Sequence, residues 1–144
     1  MPVYLADTSI WAWAAKSGRP DITTRLAERF ARDEIATCSP VVLEALHRAK
    51  TGPEYDELFD RLFAPLLWLP LTNEVSERAV AVQREMARTT HGNHLRPAVD
   101  YLVAAIAEAG GHEVVLWHFD KDLRLICEQT GQPHEAESAN ASGP

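Results

Sequence analysis

The chain is poor in sulfur. Its two cysteines, Cys38 and Cys127, lie in apolar segments with no CxxC pair and no histidine at ligand spacing beside them. A disulfide framework is therefore excluded as the source of stability, and both read as buried free thiols. A long hydrophobic run is missing too. The longest, residues 66–71, is broken by Pro70 and falls short of the roughly 20 helical residues that span a bilayer. The N-terminus has no basic flank, long apolar region and small-residue cleavage site, so export by signal peptide is not expected and a cytoplasmic location is. Excess positive charge is also lacking: 14 Lys and Arg stand against 21 Asp and Glu, a formal charge of −7. That balance argues against a generally basic surface for polyanions.

What is present is ordinary globular material. Apolar residues make up 46% and charged residues 24% of 144 residues, enough for one domain with one core. No internal repeat and no linker divides it. From Gln132 onward the apolar period stops, so the domain is expected to span residues 1–133, with 134–144 as a mobile tail.

Strand and helix signals alternate. Val3-Tyr4-Leu5 is β-prone and ends at Asp7, and the following IWAWAAK reads as helix until Gly18 and Pro20. Asp21 is placed to cap a second helix, with Ile22, Leu26 and Phe30 on one face, before a second strand at residues 35–38. Ser39-Pro40 starts another helix, with Ser39 as N-cap and Glu44 one turn inside. Residues 54–63 are helical in pattern, 66–69 form a third strand, and Thr72 caps a long amphipathic helix through Val75, Ala79, Val82 and Met86. Pro97 opens a helix with Asp100 in its first turn, stopped by Gly110-Gly111. A fourth strand at 113–117 leads through Asp120 and Asp122 into a last helix ending at Gly131. This alternation predicts an α/β fold, a short parallel sheet of four to five strands with helices on both faces.

In such sheets ligands bind beyond the carboxyl ends of the strands, and the candidate acids fall there. Asp7 follows strand one, and Asp120 and Asp122 follow strand four. Glu44 and Asp100 occupy early turns of helices that start from the same side. Any one of these carboxylates is explained as well by a helix dipole, worth about 0.3–1 kcal/mol. The set is harder to explain that way. Asp120 and Asp122 repel each other at a strand exit unless water or a cation intervenes. Oxygen-only donors suit Mg2+ or Mn2+, and bound cations invert the local charge, which also removes the objection raised by the net −7. Such a site fits phosphoryl chemistry by cation-activated water.

Four segments, Asp7-Thr8-Ser9-Ile10-Trp11, Ser39-Pro40-Val41-Val42-Leu43-Glu44, Arg96-Pro97-Ala98-Val99-Asp100-Tyr101-Leu102-Val103-Ala104-Ala105 and His118-Phe119-Asp120-Lys121-Asp122-Leu123, resemble in order and spacing those of PIN-domain ribonucleases. They look most like the VapC toxins of bacterial toxin–antitoxin pairs. The resemblance runs from Met1 to about Pro133 and implies a three-layer PIN-like sandwich. It also implies that Asp7 and Asp100 are principal metal ligands, that Glu44 and Asp120 complete an acidic quartet, that Asp122 is a further acid, and that Ser9 hydrogen-bonds the carboxylates. Leu123 departs from the usual Phe, a change of packing only. The implied reaction is hydrolysis of an RNA phosphodiester to a 5′-phosphate and a 3′-hydroxyl. The implied partners are a VapB-type antitoxin and a second copy of the chain.

Other residues have two readings each. Arg48, Lys50, Arg96, Lys121 and Arg124 flank the acids and are candidates to contact RNA, although each alone reads as solvated surface. His91 and His94 have metal-pair spacing, yet Gly92-Asn93 between them argues for a loop in which they need not converge. Trp68 and Trp117, within strands, belong to the core, whereas of Trp11 and Trp13 one is expected buried and the other facing a partner. Two further functions stay open on the residues. One is a Mg2+-binding receiver-like signalling domain, disfavoured because Asp7 stands alone and residues 66–71 lead to Thr72. The other is a PIN-fold binding module without catalysis.

Overall fold

The three-dimensional structure is a computed structural model that describes residues 1–16, 18–89 and 92–138. The chain alternates as β1 (Val3–Ala6), α1 (Thr8–Ala14), α2 (Pro20–Ala31), β2 (Ile35–Thr37), α3 (Ser39–Leu46), α4 (Gly52–Leu58) with a π-helical turn (Phe59–Phe63), β3 (Leu67–Trp68), α5 (Asn73–Thr89), α6 (Ala98–Ala109), β4 (Val114–His118), α7 (Lys121–Thr130) and β5 (His134–Ala136). All strand pairs are parallel, in the order β3-β2-β1-β4-β5. The expected α/β sandwich is borne out. Strand order reverses between β1 and β4, and the right-handed rule for crossovers between parallel strands sends the connections to either side of that switch over opposite faces.

Local chemistry explains most boundaries. Asp7 caps α1, accepting from Ser9 N–H. Thr51 caps α4 through Glu54 N–H at 3.2 Å, while the Glu54 carboxylate reaches back to Lys50 N–H at 3.0 Å, a reciprocal box that satisfies two orphan donors. Thr72 accepts from Val75 N–H as predicted. Gly131 ends α7 in the left-handed conformation, φ 74°, which costs a residue with Cβ far more. Two predicted caps are not used. Cys38, not Ser39, is the N-cap of α3. Asp21 lies inside the first turn of α2, where its carboxylate takes two bonds from Arg19 at 2.9 Å.

The core gathers Leu5, Ile10, Ile22, Leu116, Trp117, Leu123 and Ile126 between sheet and helices. Both cysteines are buried free thiols, and burial pushes each up to about 12. Trp68 departs from expectation: it is 38% exposed, donating its indole N–H to Phe63 O at 3.0 Å, because β3 is a two-residue edge strand with little to cover it. Among the described residues no helix is long and apolar enough to cross a membrane.

The C-terminal segment departs further. Residues 134–136, expected in a tail, form edge strand β5 against Leu116, Trp117 and His118. Arg29 grips Glu135 through two bonds of 2.8 and 3.0 Å, and Arg25 pairs with Glu137. Glu137 also accepts the Trp117 indole N–H at 2.9 Å, and Arg19 donates to Ser138 O at 2.7 Å. Composition missed this strand because backbone pairing and arginines from α2, not an apolar face, hold it.

Candidate metal centre

The centre lies at the switch point, where β1 and β4 end. Asp7 N–H bonds Trp117 O at 2.9 Å, which locks the two strand exits together. The Ser9 hydroxyl donates to Asp7 Oδ2 at 2.7 Å and accepts Phe119 N–H at 2.9 Å, so one short side chain aims the Asp7 carboxylate and ties it to the β4 exit. Asp7 is 3% exposed. Burial raises its pKa, the Ser9 and Thr8 hydrogen bonds oppose that, and the Asp120 charge adds to it.

Asp100 enters from the first turn of α6. Its Oδ2 is buried with no hydrogen-bond partner. Burial, then the charges of Asp120, Asp7, Asp122 and Glu44, push its pKa up to about 8. A buried acceptor without a donor costs on the order of 1–3 kcal/mol, and more when charged. Asp100, Asp120 and Asp122 each bring an oxygen within 4.8 Å of the others. Four neighbouring carboxylates raise the pKa of one, and a cation is the group that relieves all of them together. The orphaned oxygen and the all-oxygen donor set fit a hard divalent metal.

The remaining acids are held differently. Asp120 caps α7, taking Asp122 N–H at 2.7 Å and Leu123 N–H at 3.3 Å on Oδ1. Asp122 is paired with Arg96 at 2.5 Å, so its charge is already partly offset. Glu44, on the exposed side of α3, accepts the Thr8 hydroxyl at 2.9 Å. Thus Asp7, Asp100, Asp120 and Asp122 converge, with Glu44 at the rim but within electrostatic reach of Asp100.

Among the candidate RNA-contacting cations, Arg96 is built into the wall: besides Asp122 it donates to Asn93 O at 3.2 Å and Asn93 Oδ1 at 3.1 Å. Arg48, Lys50, Lys121 and Arg124 are exposed, and their side chains make no ion pair among the described residues. His91 lies outside the described residues. The His94 carbonyl accepts the Tyr101 hydroxyl at 2.7 Å, and its ring does not join the acids in any ligand cluster among the described residues. Sequence reasoning missed Thr8, which holds Glu44, and His118, whose Nδ1 accepts Asp120 N–H at 3.3 Å. Thr8 was findable as the hydroxyl next to Asp7. His118 was not, since its role needs the β4 exit to turn. Trp11 is buried and Trp13 half-buried, with its ring against Phe119.

Beside Glu44 a groove of about 790 Å³ runs along Trp11, Ala15, Leu46, Leu58 and Leu62, with Lys16 and Arg48 at its margin.

The PIN domain family model matches residues 4–129. The chain is 36% identical over 134 residues, 92% of it and 93% of the relative, to Ribonuclease VapC18 of Mycobacterium tuberculosis. It is 30% identical over 130 residues, 90% of it and 89% of the relative, to Ribonuclease VapC51 of the same organism.

Proposed function

The chain belongs to the PIN-domain family, and from that premise we propose that it is a metal-dependent endoribonuclease, the VapC-type toxin of a toxin–antitoxin pair. The observation that carries the reading is Asp100: a buried carboxyl with an unpartnered oxygen, facing Asp120 and Asp122, at the sheet's switch point. A receiver-like domain has no support here. The chain matches another family, and its third strand ends on the sheet edge with no acid at the exit.

Asp7 and Asp100 would hold Mg2+ or Mn2+, with Asp120, Asp122 and Glu44 completing the shell directly or through water. Such an ion supplies Lewis acidity, lowering the pKa of a bound water and offsetting charge on the phosphate. The protein's own groups do the positioning. Ser9 fixes the Asp7 carboxylate between two strand exits, and the α7 N-terminus fixes Asp120. Arg96 keeps Asp122 in place while moderating repulsion within the cluster. Arg48, Lys50, Lys121 and Arg124 are free to meet RNA phosphates at the rim. Attack of water on phosphorus breaks the bond to the 3′ oxygen and leaves a 5′-phosphate and a 3′-hydroxyl.

The antitoxin reading draws on the groove beside Glu44. Its apolar floor suits one face of an amphipathic helix, and an arginine on that helix would reach the acids through charge-assisted hydrogen bonds. A homodimer in the cytoplasm completes the proposal.

The test is cleavage of total RNA with Mg2+ or Mn2+ by protein freed of any copurified partner, beside Asp7→Asn and Asp100→Asn. Discrete products that vanish with EDTA and in both variants are expected. Identical behaviour of all three folded proteins would point instead to a binding module without catalysis.

A further inference from the structure

A second cluster of ligating side chains joins three elements, contains none of the acidic ligands, and touches that centre only through the Asp120 N–H on His118. His118, the last residue of β4, is fully buried. Its Nε2 lies 3.1 Å from Nδ1 of His134, the first residue of β5, with the two rings nearly parallel at 6°. Cys127 of α7, 1% exposed, brings its Sγ within 4.8 Å of a ring nitrogen of each histidine.

We propose that His118, Cys127 and His134 form a second cation site, for Zn2+, that staples the edge strand β5 to β4 and α7. Two nitrogens bound to one tetrahedral zinc at 2.0–2.1 Å sit about 3.3–3.4 Å apart, close to the separation already present. A thiolate at 2.3 Å requires about 3.5–3.6 Å from each nitrogen, which small side-chain rotations reach. Two imidazoles and a sulfur prefer zinc to Mg2+, so this site and the acidic centre select different ions. His134 is only half-buried, which opens a route for the ion and a fourth position for water.

Metal-free, Asp120 N–H occupies His118 Nδ1 at 3.3 Å, so the ring proton sits on Nε2 and is shared with His134. Binding shifts that proton to Nδ1, gives up the long Asp120 bond, tilts the two rings toward the ion and releases the Cys127 thiol proton to solvent. Every proton is accounted for, and no oxidant is involved.

The experiment titrates metal-stripped full-length protein, native and Asp100→Asn, with Co2+ and then Zn2+. One equivalent of Co2+ is expected to raise a thiolate-to-cobalt band in the near ultraviolet with tetrahedral visible bands, unchanged in Asp100→Asn and bleached by Zn2+. Cys127→Ala removes the ultraviolet band, and His134→Gln weakens binding at least tenfold. Absence of a thiolate band in native protein, or loss of all Co2+ binding in Asp100→Asn, overturns the proposal. The native and Asp100→Asn spectra decide it even where a cysteine or histidine variant fails to fold.

Discussion

Two sets of carboxylates in this molecule are treated in opposite ways. At the β5 edge, Glu135 and Glu137 are matched by Arg29 and Arg25, Arg29 lies over the rings of Tyr4 and Trp117 at 3.6 and 4.4 Å, and Glu137 also takes the Trp117 indole proton. Nearby, Arg19 holds the Asp21 carboxyl down at about 2. At the switch point, burial and like charge push Asp100 up to about 8, and Arg96 answers only Asp122. The first arrangement spends its charges on holding a strand. The second leaves Asp100 with no protein cation to answer it, so that a proton or an added cation must, and such uncompensated carboxyls mark functional sites.

The sharpest break in that comparison is Asp100→Asn. RNA cleavage should fall about 100-fold or more, since several kcal/mol of cation-derived stabilisation go with it and each 1.36 kcal/mol is tenfold. Metal-free stability at neutral pH should hold or rise by a few degrees in a thermal melt, because Asn, unlike Asp100, needs no proton taken up on folding. A large drop in melting temperature would show Asp100 to be structural.

Glu137→Gln should do the reverse. Arg25 and Arg19 lose a carboxylate and the clamp weakens by about 1–3 kcal/mol, lowering the melting temperature by roughly 5–10 °C. Cleavage measured well below that transition should remain near native.

The two regions also carry opposite pH signatures. Asp100 keeps its proton in the metal-free fold up to about 8 but releases it near 3.8 when unfolded. Its contribution is therefore fully present below about pH 4 and lost as pH rises through 8. Asp21, depressed to about 2, contributes above its unfolded value of 3.8, a contribution lost as pH falls toward 2. Melts of metal-free native protein and Asp100→Asn should converge at low pH and diverge toward pH 8. Saturating Mg2+ should reduce the native protein's loss, because the cation takes the proton's place.

The smallest effect is expected from Asp122→Asn. Its charge is already offset by Arg96, so cleavage should drop about tenfold or less, with a stability change near 1 kcal/mol. A loss as large as that of Asp100→Asn would place Asp122 among the principal ligands.

What was legible in the chain followed from local rules. Helix starts at Thr72 and Pro97, the stop at Gly131, and acids at strand exits are properties of a few neighbouring residues, and they sufficed for the parallel sheet and the set of carboxylates. Residues 134–137 were not legible, since a polar edge strand has no apolar period and the arginine partners of Glu135 and Glu137 lie 106 and 112 positions away. Trp68 was misjudged because hydrophobicity does not say whether a strand is central or at an edge. Arg96 looked like a free cation from its sequence neighbourhood, and only the meeting of the loop before α6 with the start of α7 gave it Asp122.

The sequence by itself determined which groups are ionisable, which segments before residue 134 are strand or helix, and that the acids sit where strands give way to helices. Tertiary structure alone decided which charges are paired and which are left facing one another. Capping and periodicity act over three or four residues, whereas desolvation and Coulomb energy depend on what the rest of the fold brings within a few ångströms.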